Sequence, residues 1–213
     1  MVLGVDADAL KNYGNTIEEA RADLFGLYYI ADEKLLDLGL LSDAKAYQSQ
    51  YYTYLMNGLL TQLVRIQRGH QIEEAHMRNR ALIAHWVLAN GGDTVELVQI
   101  AGKGTCVRIN DYEALRQLFA RLLAEIQRIK SEGDYEAARQ LVEQYAVCVD
   151  PVLHEEVLAR YKKLDLAPYK GFINPVLHPV YHESGQMVDV EVDYSESYAE
   201  QMLRYSRDYA TLI

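Results

Sequence analysis

Cysteine is nearly missing from this 213-residue chain, which has only Cys106 and Cys148. Two cysteines without CxxC spacing cannot build a disulfide scaffold, which favours a reducing compartment and structural thiols. Basic residues are also in deficit, with 21 lysines and arginines against 31 acids and a formal net charge of −10. With no basic cluster, nucleic-acid partners are excluded, because phosphates demand positive surface. No apolar run is long enough to span a bilayer and Met1 begins no signal peptide, so no membrane partner is expected and a cytoplasmic location is. Proline occurs four times, and Pro168, Pro175 and Pro179 make 164–186 read as an irregular loop. No repeat, low-complexity tract or linker interrupts residues 1–213. Half of them are hydrophobic, enough to bury the core of a single domain.

What is present is mostly helical patterning. Ser42-Asp43 predicts a long helix to about Gln67, and a second runs from about Ile72 to Leu88 before Asn90-Gly91-Gly92. Their short connector makes them an antiparallel pair. Val95–Ile100 and Thr105–Ile109 alternate around Gly102-Lys103-Gly104 and predict a β-hairpin; joining two strands, this glycine loop is no phosphate loop. Asp111, Asp134 and Asp150-Pro151 each open a further helix. Met187–Val192 alternates as one further strand, and a closing helix starts near Ser195. The fold class expected is mainly α.

The segment from Asn15 to Ile30 holds the chemistry. Ile17, Ala20, Leu24, Leu27, Tyr28 and Ala31 form a core stripe, and Phe25, Tyr29 and Ile30 make the other side apolar, so the helix should be buried. Buried carboxylates need partners, so Glu18, Glu19 and Asp23 require an explanation. Asn15 could cap the helix with Glu18 closing a capping box. Alternatively, Glu19 and Asp23, one turn apart, face a metal or a ligating histidine.

The run Glu18-Glu19-Ala20-Arg21-Ala22-Asp23 resembles the second zinc motif of the dipeptidyl peptidase III family, written Glu-Glu-Cys-Arg-Ala-Glu or Asp. The resemblance implies that Glu19 is a zinc ligand and that Glu18 and Asp23 brace two zinc-binding histidines. Ala20 stands where the family often has cysteine, which is not a ligand. Ala75-His76-Met77 is similar to the segment whose histidine stabilises the oxyanion, which assigns a catalytic role to His76. Pro168–Pro175 resembles a segment with a substrate-binding Arg-Lys pair; Lys170 matches the lysine, whereas Tyr169 replaces the arginine. The similarity runs in order from about Val5 to the C-terminus, nearest to members of the Bacteroides type. It implies the helical part of a zincin-like catalytic domain.

The family's His-Glu-x-x-Gly-His helix, which supplies two ligands and the water-activating glutamate, is not in this sequence. The chain is therefore expected to be the C-terminal portion of a zinc dipeptidyl aminopeptidase that releases N-terminal dipeptides from short peptides. Alone it should be inactive, with zinc absent or weakly held, and the missing N-terminal half of the polypeptide would be its partner. A signal lost with that half is compatible with the same sequence. The competing expectation is a non-catalytic helical interaction domain with a tyrosine surface around Tyr51, Tyr52 and Tyr54.

The remaining histidines carry blander expectations. His178 and His182 have the spacing of a helical metal pair, but Pro179 argues against the helix. His154, beside Glu155 and Glu156, should be solvated, and His85 packed or capped. From spacing alone His76, on the face of Ile72, Ala75 and Asn79, would be a satisfied core histidine.

Overall fold

The structure, a computed structural model, describes residues 8–166 and 172–209. They fall into two compact units divided between Leu164 and Asp165. The first holds α1 (Gly14–Tyr29), a single-turn α2 (Lys34–Asp37), α3 (Ala46–Leu59) and α4 (Ala75–Asn90). The hairpin β1 (Val95–Ile100) and β2 (Gly104–Ile109) follows, then α5 (Tyr112–Glu132), α6 (Tyr135–Tyr145) and α7 (Pro151–Lys162). The second holds a hairpin, β3 (Val176–Tyr181) with β4 (Met187–Asp193), and α8 (Tyr198–Tyr209). The described residues are thus mainly helical with two small antiparallel hairpins. None of the described helices is long and apolar enough to cross a membrane.

The core of the first unit is built where α1 packs on α4 and α5 and α3 packs on α4. Ile17, Ala20 and Leu24 meet Leu55, Leu82, Ile83, Leu122 and Ile126, all fully buried. Tyr51 is buried with them, edge-on to Phe119. Its hydroxyl donates to the Leu27 carbonyl at 2.8 Å, which satisfies the polar tip a buried tyrosine must partner. Of the tyrosine surface expected of an interaction domain, Tyr51 is therefore core and Tyr54 partly buried, whereas Tyr52 is 38% exposed. Gly58 sets how closely α3 and α4 approach, since a Cβ there would lie 2.5 Å from the Arg80 carbonyl oxygen and 2.7 Å from the Ala84 Cβ. The single tryptophan, Trp86, lies on α4 half-buried against the core, with the Arg121 guanidinium of α5 5.8 Å from its ring.

The aspartate-capped helices start as predicted. Asp111, Asp134 and Asp150 accept from the first-turn N–H groups of α5, α6 and α7, and Pro151 opens α7. The predicted helix from Ser42 to Gln67 is shorter: α3 ends at Leu59, Leu60 leaves the helical region, and Thr61–Arg65 forms a 3-10 turn. The Gln62 amide donates to the carbonyls of Gly58 and Met77, fixing that turn on α4. The helix predicted from Ile72 begins at Ala75, where Glu74 caps it.

The β1–β2 hairpin is fastened to α7. Glu156 accepts from the Thr105 N–H at 2.6 Å and the Thr105 hydroxyl at 2.5 Å. Gln99 donates to the same hydroxyl and Arg160 to the Thr105 carbonyl, each at 2.6 Å. The Thr105 donors, hydroxyl before backbone, hold the Glu156 carboxyl below its ordinary pKa.

In the second unit, the irregular loop expected over 164–186 is corrected by β3, which pairs with β4 from Val176↔Asp193 to Tyr181↔Met187. Pro179 is tolerated because a two-stranded hairpin leaves one edge of each strand unpaired. His178 lies on β3 and His182 in the connection, so they are not a helical pair. The strand predicted at Met187 is present.

Candidate functional site

Two residues far apart in sequence meet where α1 crosses α4. Glu19 projects from α1, and His76 lies in the first turn of α4 with Nδ1 3.2 Å from Glu19 Oε2. Their side chains are 36% and 59% exposed, so the contact borders solvent and His76 is not the core histidine that its spacing suggested. Glu74 fixes the start of α4, its two carboxylate oxygens accepting from the backbone N–H groups of His76 and Met77 at 2.8 and 3.0 Å. The imidazole is therefore mounted on a capped helix end, close to the positive end of the helix dipole.

One turn further along both helices a second polar contact is partly buried. Asp23 Oδ2 accepts from Asn79 Nδ2 of α4 at 3.0 Å and from the Tyr54 hydroxyl of α3 at 2.8 Å. Asn79 is 1% exposed, and its Oδ1 is buried without a donor among the described residues. Leaving such an acceptor unpaired costs about 1–3 kcal/mol. Burial first, then the Asp23 carboxylate, pushes the Tyr54 phenol well above its ordinary pKa, so it stays a neutral donor.

The third acid lies on another face. Glu18 is gripped by Arg21, with Nη2–Oε1 at 2.6 Å and Nε–Oε2 at 3.1 Å, and by Lys130 of α5. The capping-box alternative is corrected. Helix α1 starts at Gly14, ahead of Asn15, and its N-cap position, Tyr13, makes no side-chain capping bond. The expectation of a helix buried all round is corrected too: Thr16, Ile17, Ala20, Leu24 and Leu27 are buried, whereas Phe25 and Tyr29 are 40% and 49% exposed. Full burial therefore does not apply to the acids. Each is placed by particular partners. Lys170 and Tyr169 lie outside the described residues.

Among the other histidines, His85 is packed as expected, Nδ1 3.0 Å from the Tyr145 carbonyl, and burial lowers its pKa. His154 is not solvated. It is 3% exposed, with Nε2 3.0 Å from the Leu63 carbonyl, because α7 turns that side onto the 3-10 turn.

Among the described residues no three histidine, cysteine or acidic side chains gather closely enough to hold a metal. Glu19 fits the contribution of a single oxygen ligand: it is partly exposed, it faces an imidazole, and Asp23 lies one turn away. The sequence did not mark Tyr54 and Asn79 as partners of Asp23. The available signals were a tyrosine on a packed helix, whose hydroxyl needs an acceptor, and an asparagine among the apolar residues of α4.

The chain matches the model of peptidase family M49 over residues 7–175 and belongs to that family, the dipeptidyl peptidase III family. Among solved structures it is similar to DPP III from Caldithrix abyssi, with a TM-score of 0.55 and 26% identity. That match covers 73% of this chain and 26% of the other, so the chain spans about a quarter of the enzyme's length. No curated protein matches.

Proposed function

We propose that this chain supplies the distal part of the catalytic centre of a zinc dipeptidyl peptidase, one that removes dipeptides from the N-termini of short peptides. The contact of Glu19 with His76 carries the reading, because it joins the two motifs by which the sequence resembles the family. Glu19 is the zinc ligand offered by this chain, and Asp23 braces a ligating histidine from a His-Glu-x-x-Gly-His segment elsewhere in the polypeptide. Glu18 braces the second histidine by sharing the carboxylate that Arg21 and Lys130 also hold. Zinc, when bound, lowers the pKa of water towards neutrality. His76, held at the capped start of α4, donates to the oxyanion that develops on the scissile carbonyl. Such a donor contributes roughly 2.7–4 kcal/mol to the transition state. Lys170 holds the peptide. With one ligand and no general base, the chain alone is inactive and binds zinc weakly or not at all; the segment carrying the histidines is its partner, and the enzyme is cytoplasmic.

Zinc stoichiometry tests this reading in a polypeptide that carries a His-Glu-x-x-Gly-His segment upstream of this chain. One zinc per polypeptide, lost in Glu19→Ala, is the expected result. Equal zinc in both forms, or none in either, would overturn the reading and leave a non-catalytic helical domain.

A further inference from the structure

Resting on the roles of Glu19 and Asp23 given above, we propose that Tyr54 and Asn79 are positioning residues for the zinc site. They grip Oδ2 of Asp23 and so hold Oδ1 in one place for an incoming imidazole N–H. The grip comes from two helices, α3 through the Tyr54 hydroxyl at 2.8 Å and α4 through Asn79 Nδ2 at 3.0 Å. Both donors converge on the same oxygen, and no donor among the described residues reaches Oδ1. The orientation of the Asn79 amide is forced, because turning it over would set its oxygen against the Asp23 carboxylate. That leaves Asn79 Oδ1 buried and without a donor. Gln62 Oε1 is likewise buried without a donor, but the Gln62 amide ties two backbone carbonyls together. Asn79 ties down only a side chain, and leucine would pack there without an unmet hydrogen bond. The arrangement makes sense if what it secures is the direction of Asp23, one turn from Glu19 on the same helix.

Partners that orient metal-binding histidines typically change metal affinity by 10- to 100-fold when removed. The experiment is competition of zinc against a chromophoric chelator, in the polypeptide that includes the upstream histidine segment, with thermal midpoints measured on the same samples. Tyr54→Phe and Asn79→Leu are each expected to weaken zinc about tenfold. The midpoint of Asn79→Leu should stay level or rise, which a purely structural role would not allow. In an Asp23→Ala background, Tyr54→Phe should weaken zinc no further. Zinc binding within about twofold of wild type in both single variants would overturn the inference, as would an undiminished Tyr54→Phe effect in the Asp23→Ala background. If Asn79→Leu does not fold, the two Tyr54→Phe measurements decide. The outcomes separate from the parent reading through Glu19→Ala. Zinc retained there overturns the zinc reading itself, whereas zinc lost there but kept in both Tyr54→Phe and Asn79→Leu overturns only the positioning role.

Discussion

Two polar clusters in the first unit are built to opposite standards. Where the β1–β2 hairpin meets α7, both oxygens of Glu156 are occupied, the Thr105 hydroxyl is shared with Gln99, and the Thr105 carbonyl takes a guanidinium. Where α1 meets α4, Glu19 is partly open to solvent with one histidine beside it, and a buried amide oxygen has no donor among the described residues. A network whose groups are mutually satisfied fixes a structure, whereas a buried acceptor left unmet asks for a separate explanation, which the proposed zinc role supplies.

The contrast can be broken at several points. Gly58→Ala has the largest expected effect, because its methyl would run into the α4 backbone and force apart the helices that carry Tyr54 and Asn79. A loss of about 3 kcal/mol in urea denaturation is expected, at the upper end for overpacking. Next is Glu156→Ala, which strips the acceptor from the Thr105 N–H and hydroxyl and should cost about 2 kcal/mol by the same assay. The hairpin clasp should also depend on pH. The Glu156 carboxyl is lowered in the folded state from an ordinary value of 4.5. Its contribution is therefore complete above that value and is lost as pH falls through the lower folded-state pKa. The stability gap between wild type and Glu156→Ala should accordingly narrow on acidification below pH 4.5. Glu19→Ala should be the mildest, within about 0.5 kcal/mol of wild type, as for a solvent-bordering surface contact. A loss above about 1 kcal/mol there would make Glu19 structural and erase the distinction.

Local signals were legible where they act locally. Aspartate caps and Pro151 predicted the starts of α5, α6 and α7, because a cap is read from its neighbouring residues. The break after Leu59 was not legible, since Leu59, Leu60, Leu63 and Val64 keep helical spacing and the interruption is stabilised by Gln62 bonding to α4. The burial of His154 was equally hidden, as Glu155 and Glu156 suggest solvent while the 3-10 turn that covers it comes from a distant segment. Strand β3 was masked by its proline, and its identity comes from pairing with β4. The candidate site divides the same way. Glu18, Glu19, Asp23 and His76 stood out through motif resemblance. The clamp of Tyr54 and Asn79 on Asp23 exists only once three helices are packed.

Trp86 gives this chain its own optical probe. It is the one indole among seventeen tyrosines, so its emission comes from a single place. That place is on α4, the helix that bears His76 and Asn79, with the α5 guanidinium of Arg121 over the ring. Displacing α4 from α5 would wet the indole and remove the cation from its face, shifting the emission to longer wavelength. Any ligand that rearranges the His76 helix can therefore be followed by fluorescence, without attaching a dye.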